Sequence, residues 1–290
     1  AGFVNIVGNP NVGKSTLMNQ LVGEKLSIAT FKAQTTRHRI MGIVNTEDTQ
    51  IVFSDTPGVL KPNYKMQEMM LQFSESALAD ADILLYVTDV VEDPEKNMDF
   101  LEKVSKMSIP VILLINKIDE SDQKTLGKLV TKWHGLLPNA EILPISAKNK
   151  FGVDILLKRV HELLPESPAF FDKDQLTDKP AKFFVSEIIR EKILRYYDKE
   201  IPYSVEVVIE RFKEDDRQIH ISAIIYVERS SQKGIIIGHQ GMALKKVSTE
   251  ARKSLERFFD KKIFLETFVK VDKDWRNSQK ELKHFGYSPE

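Results

Sequence analysis

Gly8-Asn9-Pro10-Asn11-Val12-Gly13-Lys14-Ser15 follows an apolar run, Phe3 to Val7, and leads through Thr16 into a helical pattern. Glycines at both ends of a loop between a strand and a helix let the chain wrap tightly, so that backbone N–H groups and a helix N-terminus converge on one point. That is the pattern of a P-loop, and a triphosphate is the ligand it accommodates. Lys14 brings a positive charge to the β and γ phosphates, and the Ser15 hydroxyl is a Mg²⁺ ligand. The expected cradle is Gly8, Asn9, Pro10, Asn11, Val12, Gly13, Lys14, Ser15 and Thr16. The competing reading is a glycine turn with an ordinary surface lysine; the strand before it and the helix after it weigh against that.

Outward from this loop, short β-branched runs alternate with polar helical stretches as far as Pro165: Ile51 to Phe53, Ile83 to Thr88, Val111 to Ile115 and Ile142 to Ile145. Alternation of this kind reads as α/β. The runs at Ile83 and Val111 are apolar throughout, as strands buried on both faces are, so the expected sheet is mainly parallel and covered by helices. Its ligands then lie at the carboxyl ends of the strands. Ile40 to Asn45 and Gln50 to Phe53 are separated by four polar residues, too few for a crossover helix, which predicts one antiparallel edge strand. The Met66, Met69, Met70 and Phe73 spacing reads as a buried helical face.

The same strand ends carry further motifs. Asp55-Thr56-Pro57-Gly58 closes the strand that begins at Gln50, placing the Asp55 carboxylate near the metal, directly or through water, and the Gly58 N–H where it meets a γ phosphate. Such a segment is built to sense hydrolysis, and Lys14, Thr36 and Gly58 are the residues expected to act in that step. Alone, an Asp-x-Pro-Gly turn only reverses the chain. Asn116-Lys117-Ile118-Asp119 follows Val111 to Ile115. Asp119 can accept hydrogen bonds from N1–H and the 2-amino group of guanine, whereas adenine has an acceptor at N1 and no 2-amino donor, so the tetrapeptide favours GTP over ATP. Ser146-Ala147-Lys148 follows the last strand and is expected to present backbone N–H groups to guanine O6. Thr35-Thr36-Arg37 lies between the first helix and the next strand, where a mobile loop brings a hydroxyl to Mg²⁺; Thr36 is favoured, with Thr35 in reserve.

Pro165, Pro168 and Pro180 bracket a charged stretch without helical or strand period, so residues 166–181 read as a linker between residues 1–165 and a second domain, 182–290. There the order becomes a helix around Phe184 to Tyr197, strands at Ser204 to Ile209 and Ile219 to Val227, then two helices flanking a strand near Ile263 to Val271, a smaller α+β module. Within it, Ile235-Ile236-Ile237-Gly238-His239-Gln240-Gly241 joins an apolar segment to a helix bearing Lys245 and Lys246. Glycines permit close approach of a nucleic-acid backbone, and helix dipoles with nearby lysines favour its phosphates. The candidate RNA contacts are Lys233, Ile236, Gly238, His239, Gln240, Gly241, Lys245 and Lys246; the plainer reading is a helix-helix turn with a solvated basic face. Trp275, beside Lys273 and Arg276, suits either stacking on a base or anchoring the terminal helix, and anchoring is favoured.

Composition bounds these readings. The 290 residues, 42% hydrophobic, are enough for two cores. Forty-two Lys or Arg balance 42 Asp or Glu, which argues against a uniformly basic nucleic-acid coat. Charge is local instead: residues 229–276 hold 12 Lys or Arg against 6 Asp or Glu. The absence of cysteine excludes disulfides and thiol chemistry, and no paired histidine spacing suggests zinc. No apolar run approaches the roughly 20 residues of a membrane helix, and no signal peptide is expected. The chain opens at Ala1 rather than Met, the expectation for an N-terminus trimmed by a few residues.

Taken together, Gly8 to Ser15, Gln34-Thr35-Thr36-Arg37-His38-Arg39, Asp55 to Gly58, Asn116 to Asp119 and the Ile235 to Lys246 region resemble the Era family of bacterial GTPases, over nearly the whole chain. The resemblance implies an α/β P-loop GTPase domain followed by a type II KH domain, a GTP and GDP cycle with Mg²⁺, binding of 16S ribosomal RNA near its 3′ end, and a part in 30S subunit assembly. It also implies a cytoplasmic protein with peripheral association with the inner membrane as a further partner surface. Val59 stands where Ras-like proteins carry the glutamine that orients water, which predicts slow intrinsic hydrolysis. Asn11, matched in related GTPases, is the candidate K⁺ ligand, the alternative being that it braces the loop.

Overall fold

Val4, Ile6 and Val7 have no exposed surface, and the strand that carries them, β1 (Gly2–Gly8), lies inside a six-stranded sheet. The computed structural model describes residues 1–288; positions 289 and 290, the end of the expected second domain, lie outside the described residues. After β1 come α1 (Lys14–Val22), β2 (Ile40–Asn45), β3 (Gln50–Asp55), α2 (Lys65–Ala79), β4 (Ile83–Asp89), α3 (Met98–Ser105), β5 (Val111–Asn116), α4 (Gln123–Leu136), β6 (Glu141–Pro144) and α5 (Val153–Leu163). The sheet order is β2-β3-β1-β4-β5-β6. All pairings are parallel except β2 with β3, the expected hairpin, closed by the Thr46 amide on the Thr49 carbonyl at 2.8 Å. β6 stops at Pro144, so Ile145 falls just beyond the expected strand. In α2, Met66, Met70 and Phe73 are buried and Met69 is half-buried.

Residues 166–178 do not behave as a free linker. They lie along the open edge of β2 and on β3: Ile43 donates to the Leu176 carbonyl at 2.8 Å, Met41 to the Asp178 carboxylate at 2.8 Å, and the Gln50 amide to the Phe171 carbonyl at 2.9 Å. An unpaired edge must be satisfied by water or covered, and here the proline-bracketed stretch covers it. The first unit therefore runs to Asp178.

The second unit contains α6 (Ala181–Tyr196), the single turn α7 (Ile201–Ser204), β7 (Glu206–Glu214), β8 (Gln218–Val227), α8 (Ser230–Ile237), α9 (Met242–Phe259), β9 (Lys262–Val271) and α10 (Gln279–His284). Its sheet runs β7-β8-β9, antiparallel then parallel, leaving β9 at an edge. Val207, Ile221, Ile225, Ile263 and Val269 pack with Val185, Ile189, Val247 and Leu255 of the helices. Ser204 and Val205 are not strand as expected; Pro202 in the first turn of α7 presets a helical φ, and β7 begins at Glu206.

Candidate nucleotide site and nucleic-acid interface

The P-loop sits where β1 ends and α1 begins. Gly13 adopts φ 97°, and a Cβ there would collide with the Asn116 amide, so both backbone and space demand glycine. Lys14 is buried with its Nζ 2.7 Å from the Asn9 carbonyl. Burial lowers its pKa to about 8, although the charges of Asp55 and Glu92 work the other way.

Ser15, Thr36 and Asp55 meet as expected of metal ligands. Ser15 Oγ donates to Asp55 Oδ2 at 2.6 Å and lies 2.8 Å from Thr36 Oγ1, which is 3.4 Å from the same carboxylate oxygen. Asp55 Oδ1 is buried without a hydrogen-bond partner. Burial raises the Asp55 pKa, opposed by the Ser15 hydrogen bond and the Lys14 charge. Two hydroxyls and a carboxylate with an orphaned oxygen make a hard-oxygen donor set that fits Mg²⁺. The structure separates the two threonines: the Thr35 hydroxyl donates to the Lys32 carbonyl at 2.5 Å.

Asp55-Thr56-Pro57-Gly58 is pressed onto the P-loop. A Cβ at Gly58 would lie 2.7 Å from the backbone of Pro10, and the Val59 amide donates to the Gly8 carbonyl at 3.0 Å. The Val59 side chain, 4% exposed, packs in the core with Leu84 and Phe100. Asn97, which ends the connection into α3, donates from Nδ2 to the Val59 carbonyl at 3.0 Å and to Asn9 Oδ1. Nothing in the local sequence around Asn97 signals this brace.

At the base end, Asn116 Nδ2 donates to the Val12 carbonyl at 2.9 Å and its Oδ1 accepts from the Ala147 amide at 2.9 Å. Lys117, in the left-handed region at φ 62°, donates to the Asn11 carbonyl and to Asp89 Oδ2, both at 2.6 Å. Asp89 was not singled out from the sequence, although its place at the carboxyl end of β4 was the available signal. Asp119 Oδ1 accepts from Ser146 Oγ at 2.7 Å, which orients the carboxylate. The Ser146 amide donates to the Phe151 carbonyl and the Ala147 amide to Asn116. In this structure the Ser146 and Ala147 amides thus have protein acceptors, and Lys148 beside them is exposed.

In the second unit, α8 and α9 meet at a turn in which Gly238, Gln240 and Gly241 take φ of 70°, 50° and 76°. His239 and Gln240 are exposed at its tip, as is Lys245 at the start of α9. Ile236 is a correction: it has no exposed surface, and its carbonyl accepts from the Tyr197 hydroxyl at 2.6 Å, so it belongs to the core. Lys246 lies over the Tyr196 ring at 4.5 Å. Beside the turn, Lys233, Ile237, Leu244, Thr267 and Phe268 line a groove along the β9 edge. Trp275 is fully buried with Nε1 donating to the Ser204 carbonyl at 3.1 Å, so it anchors rather than stacks on a base. Among the described residues no helix is long and apolar enough to cross a membrane.

Comparison with known proteins agrees with this division. Residues 3–117 match the family described as 50S ribosome-binding GTPase, and residues 200–276 match the KH domain. The chain is 46% identical to GTPase Era of Geobacter sp. (strain M21) over 289 residues, 99% of this chain and 97% of that protein. It is 44% identical to GTPase Era of Clostridium kluyveri, covering 99% of each. Its structure is similar to that of an Era in complex with MgGDPNP and nucleotides 1506–1542 of 16S ribosomal RNA, with TM-score 0.95, 37% identity and 99% of both chains covered. The same values relate it to an Aquifex aeolicus Era variant bound to GDP and aluminium fluoride.

Proposed function

The chain belongs to the Era family of GTPases, and from that premise we propose that it uses its GTP and GDP states to control binding of 16S ribosomal RNA near the 3′ end during assembly of the 30S subunit. GTP hydrolysis is the activity of the family, with guanine nucleotide and Mg²⁺ as its requirements. The observation that carries the reading is the convergence of Ser15, Thr36 and the orphaned Asp55 oxygen beside the P-loop, on three separate segments of the sequence and one donor set in space.

In this reading Ser15 and Thr36 would hold Mg²⁺, with Asp55 directly or through water, and the bound ion would supply charge neutralisation to the phosphates. Lys14 neutralises the same phosphates, and the Gly58 amide donates to the γ phosphate. Water attacks the γ phosphorus, the bond to the β-phosphate bridging oxygen breaks, and GDP and phosphate leave. Thr36 and Gly58 then lose the group that held them, which relaxes both segments. Val59 faces the core and supplies no water-orienting group, which supports slow intrinsic turnover. Asn11, whose side chain is exposed on the loop, is the K⁺ ligand of this reading; faster turnover in KCl than in NaCl at matched ionic strength supports it, and equal turnover removes it.

RNA enters along the groove beside Gly238 to Gly241, with Lys233 and Lys245 on phosphates and His239 and Gln240 at the tip. Peripheral membrane association rests on the same local basic charge. The test is RNA affinity measured with GDP and with a nonhydrolysable GTP analogue, together with phosphate release with and without 30S particles. Matching affinities and an unchanged rate would leave a GTPase that does not control RNA. Binding to anionic vesicles that RNA does not compete away favours the lipid-reading alternative.

A further inference from the structure

The three-stranded sheet of the second unit has two unlike faces. Ile263, Leu265 and Val269 of β9 point to the core, while Phe264 and Phe268, alternating with them, point away and are each 49% exposed. The two rings, on one strand and one face, make a small exposed aromatic patch. His220 of β8 lies beside Phe264, ring centroids 5.6 Å apart. Arg211 and Lys213 of β7 pair in register with Ser222 and His220 and so share this face with Lys262 and Lys270 of β9. Its acidic residues are Glu206, paired in register with Tyr226, Glu210, 3.7 Å from Lys270, and Glu266, with Asp215 lying 3.4 Å from His220. Arg211, Lys213, Lys262 and Lys270 thus interleave cationic side chains with the rings on this face.

Phe268 also lines the groove beside the glycine turn, and β9, which carries it, is an open edge. A strand of RNA leaving the groove over that edge meets Phe268 first and Phe264 next. The two rings are four residues apart on one strand, about 13 Å, room for two separate bases. Exposed aromatics on a sheet with interleaved basic side chains are a stacking platform for single-stranded bases. We propose that the outer face of the β7-β8-β9 sheet, with Phe264, Phe268 and His220 at its centre, is a second single-stranded RNA surface continuous with the groove. Phe264 and Phe268 stack on bases, and Arg211, Lys213 and Lys262 contact phosphates. The inference rests on RNA occupying the groove, and it extends the path beyond it.

The test measures anisotropy of the full chain with RNA of the sequence of 16S nucleotides 1506–1542 and with fragments of about eight nucleotides, somewhat longer than the four a Gly-x-x-Gly clamp holds. Expected for Phe264→Ala is roughly tenfold weaker binding of the long RNA, the loss of one stacked base, with unchanged affinity for the fragment that binds best. Phe264→Trp keeps wild-type affinity, which a merely structural role for the ring does not require. The pair His239→Asp with Gln240→Asp weakens both RNAs. If that pair weakens binding while Phe264→Ala, Phe264→Trp and wild type bind the long RNA equally, the outer face is overturned and the groove stands. If neither set matters, both readings fall. Equal unfolding temperatures for wild type and Phe264→Ala confirm that the loss is one of contact.

Discussion

Asn116 Nδ2 donates to the carbonyl of Val12 at 2.9 Å, which ties the carboxyl end of β5 to the P-loop. The bond is buried, and the other side of the same amide holds Ala147. The one amide thus braces three segments together: the end of β5, the P-loop and the Ser146-Ala147-Lys148 turn. Asn116→Ala orphans a buried carbonyl and a buried amide, each worth about 1–3 kcal/mol. GTP and GDP affinity should fall together by at least about tenfold, measured by calorimetry; a loss confined to one nucleotide would contradict the brace.

Asp119 should decide which purine is accepted. Asp119→Asn replaces a carboxylate with an amide that can donate to an oxo group at the 2-position, so the variant should lose at least about a hundredfold in GTP affinity and gain affinity for xanthosine triphosphate. Competition binding with GTP, ATP and XTP checks this. Ser146→Ala, which removes the hydroxyl that orients Asp119, should produce a smaller loss without the change in preference.

Lys14 makes the nucleotide-free protein sensitive to alkaline pH. Burial holds its pKa at about 8 against 10.5 for the free side chain, so between these values the unfolded chain binds more protons than the folded one. Stability must then rise with pH across that window and reach its full value above 10.5, where neither state carries the proton. Unfolding midpoints at pH 7.5 to 9.5, on the order of one measurement per half unit, should increase more in wild type than in Lys14→Met. Phosphate oxygens favour the charged ammonium, so GTP binding near pH 9 should take up protons, read as a buffer-dependent binding enthalpy.

Val59→Gln should not install Ras-like catalysis. The Val59 amide is fixed to Gly8, its carbonyl to Asn97, and its side chain points into the core. A glutamine there buries an amide at a cost of about 1–3 kcal/mol. Single-turnover phosphate release should stay within about threefold of wild type, well under a 1.4 kcal/mol change in barrier, while the unfolding midpoint drops.

Trp275→Ala should act on stability alone. Removing a fully buried tryptophan and its hydrogen bond to Ser204 costs about 3–5 kcal/mol. Denaturant unfolding should show that loss, and RNA affinity at a temperature where the variant remains folded should be unchanged; weakened RNA binding by a folded variant would return Trp275 to the interface.

The nucleotide site was legible in one dimension because each of its motifs is a strand end plus the few residues after it, and a parallel sheet brings strand ends together. Gly8 to Ser15, Asp55 to Gly58 and Asn116 to Asp119 needed only their order. The choice between the two threonines was less legible: Thr35 and Thr36 are equivalent by type, and the direction of the loop backbone turns Thr36 toward Ser15 and Thr35 toward the Lys32 carbonyl. Asp89 and Asn97 were missed because they touch other protein groups, Lys117, Val59 and Asn9, and no spacing along the chain encodes such a partner.

By itself the sequence determined the kind of chemistry: a triphosphate cradle, a carboxylate matched to guanine, a Gly-x-x-Gly turn among basic residues, and an alternation that leads to a parallel sheet. These follow from residue type and local period, which are properties of neighbours in the chain. Only the tertiary structure decided that Ile236 is core, that residues 166–178 cover the β2 edge, that the Ala147 amide is spent on Asn116, and that Phe264 and Phe268 face outward. Each of those outcomes depends on which distant group fills a space or satisfies a hydrogen bond, a question of packing that local pattern does not contain.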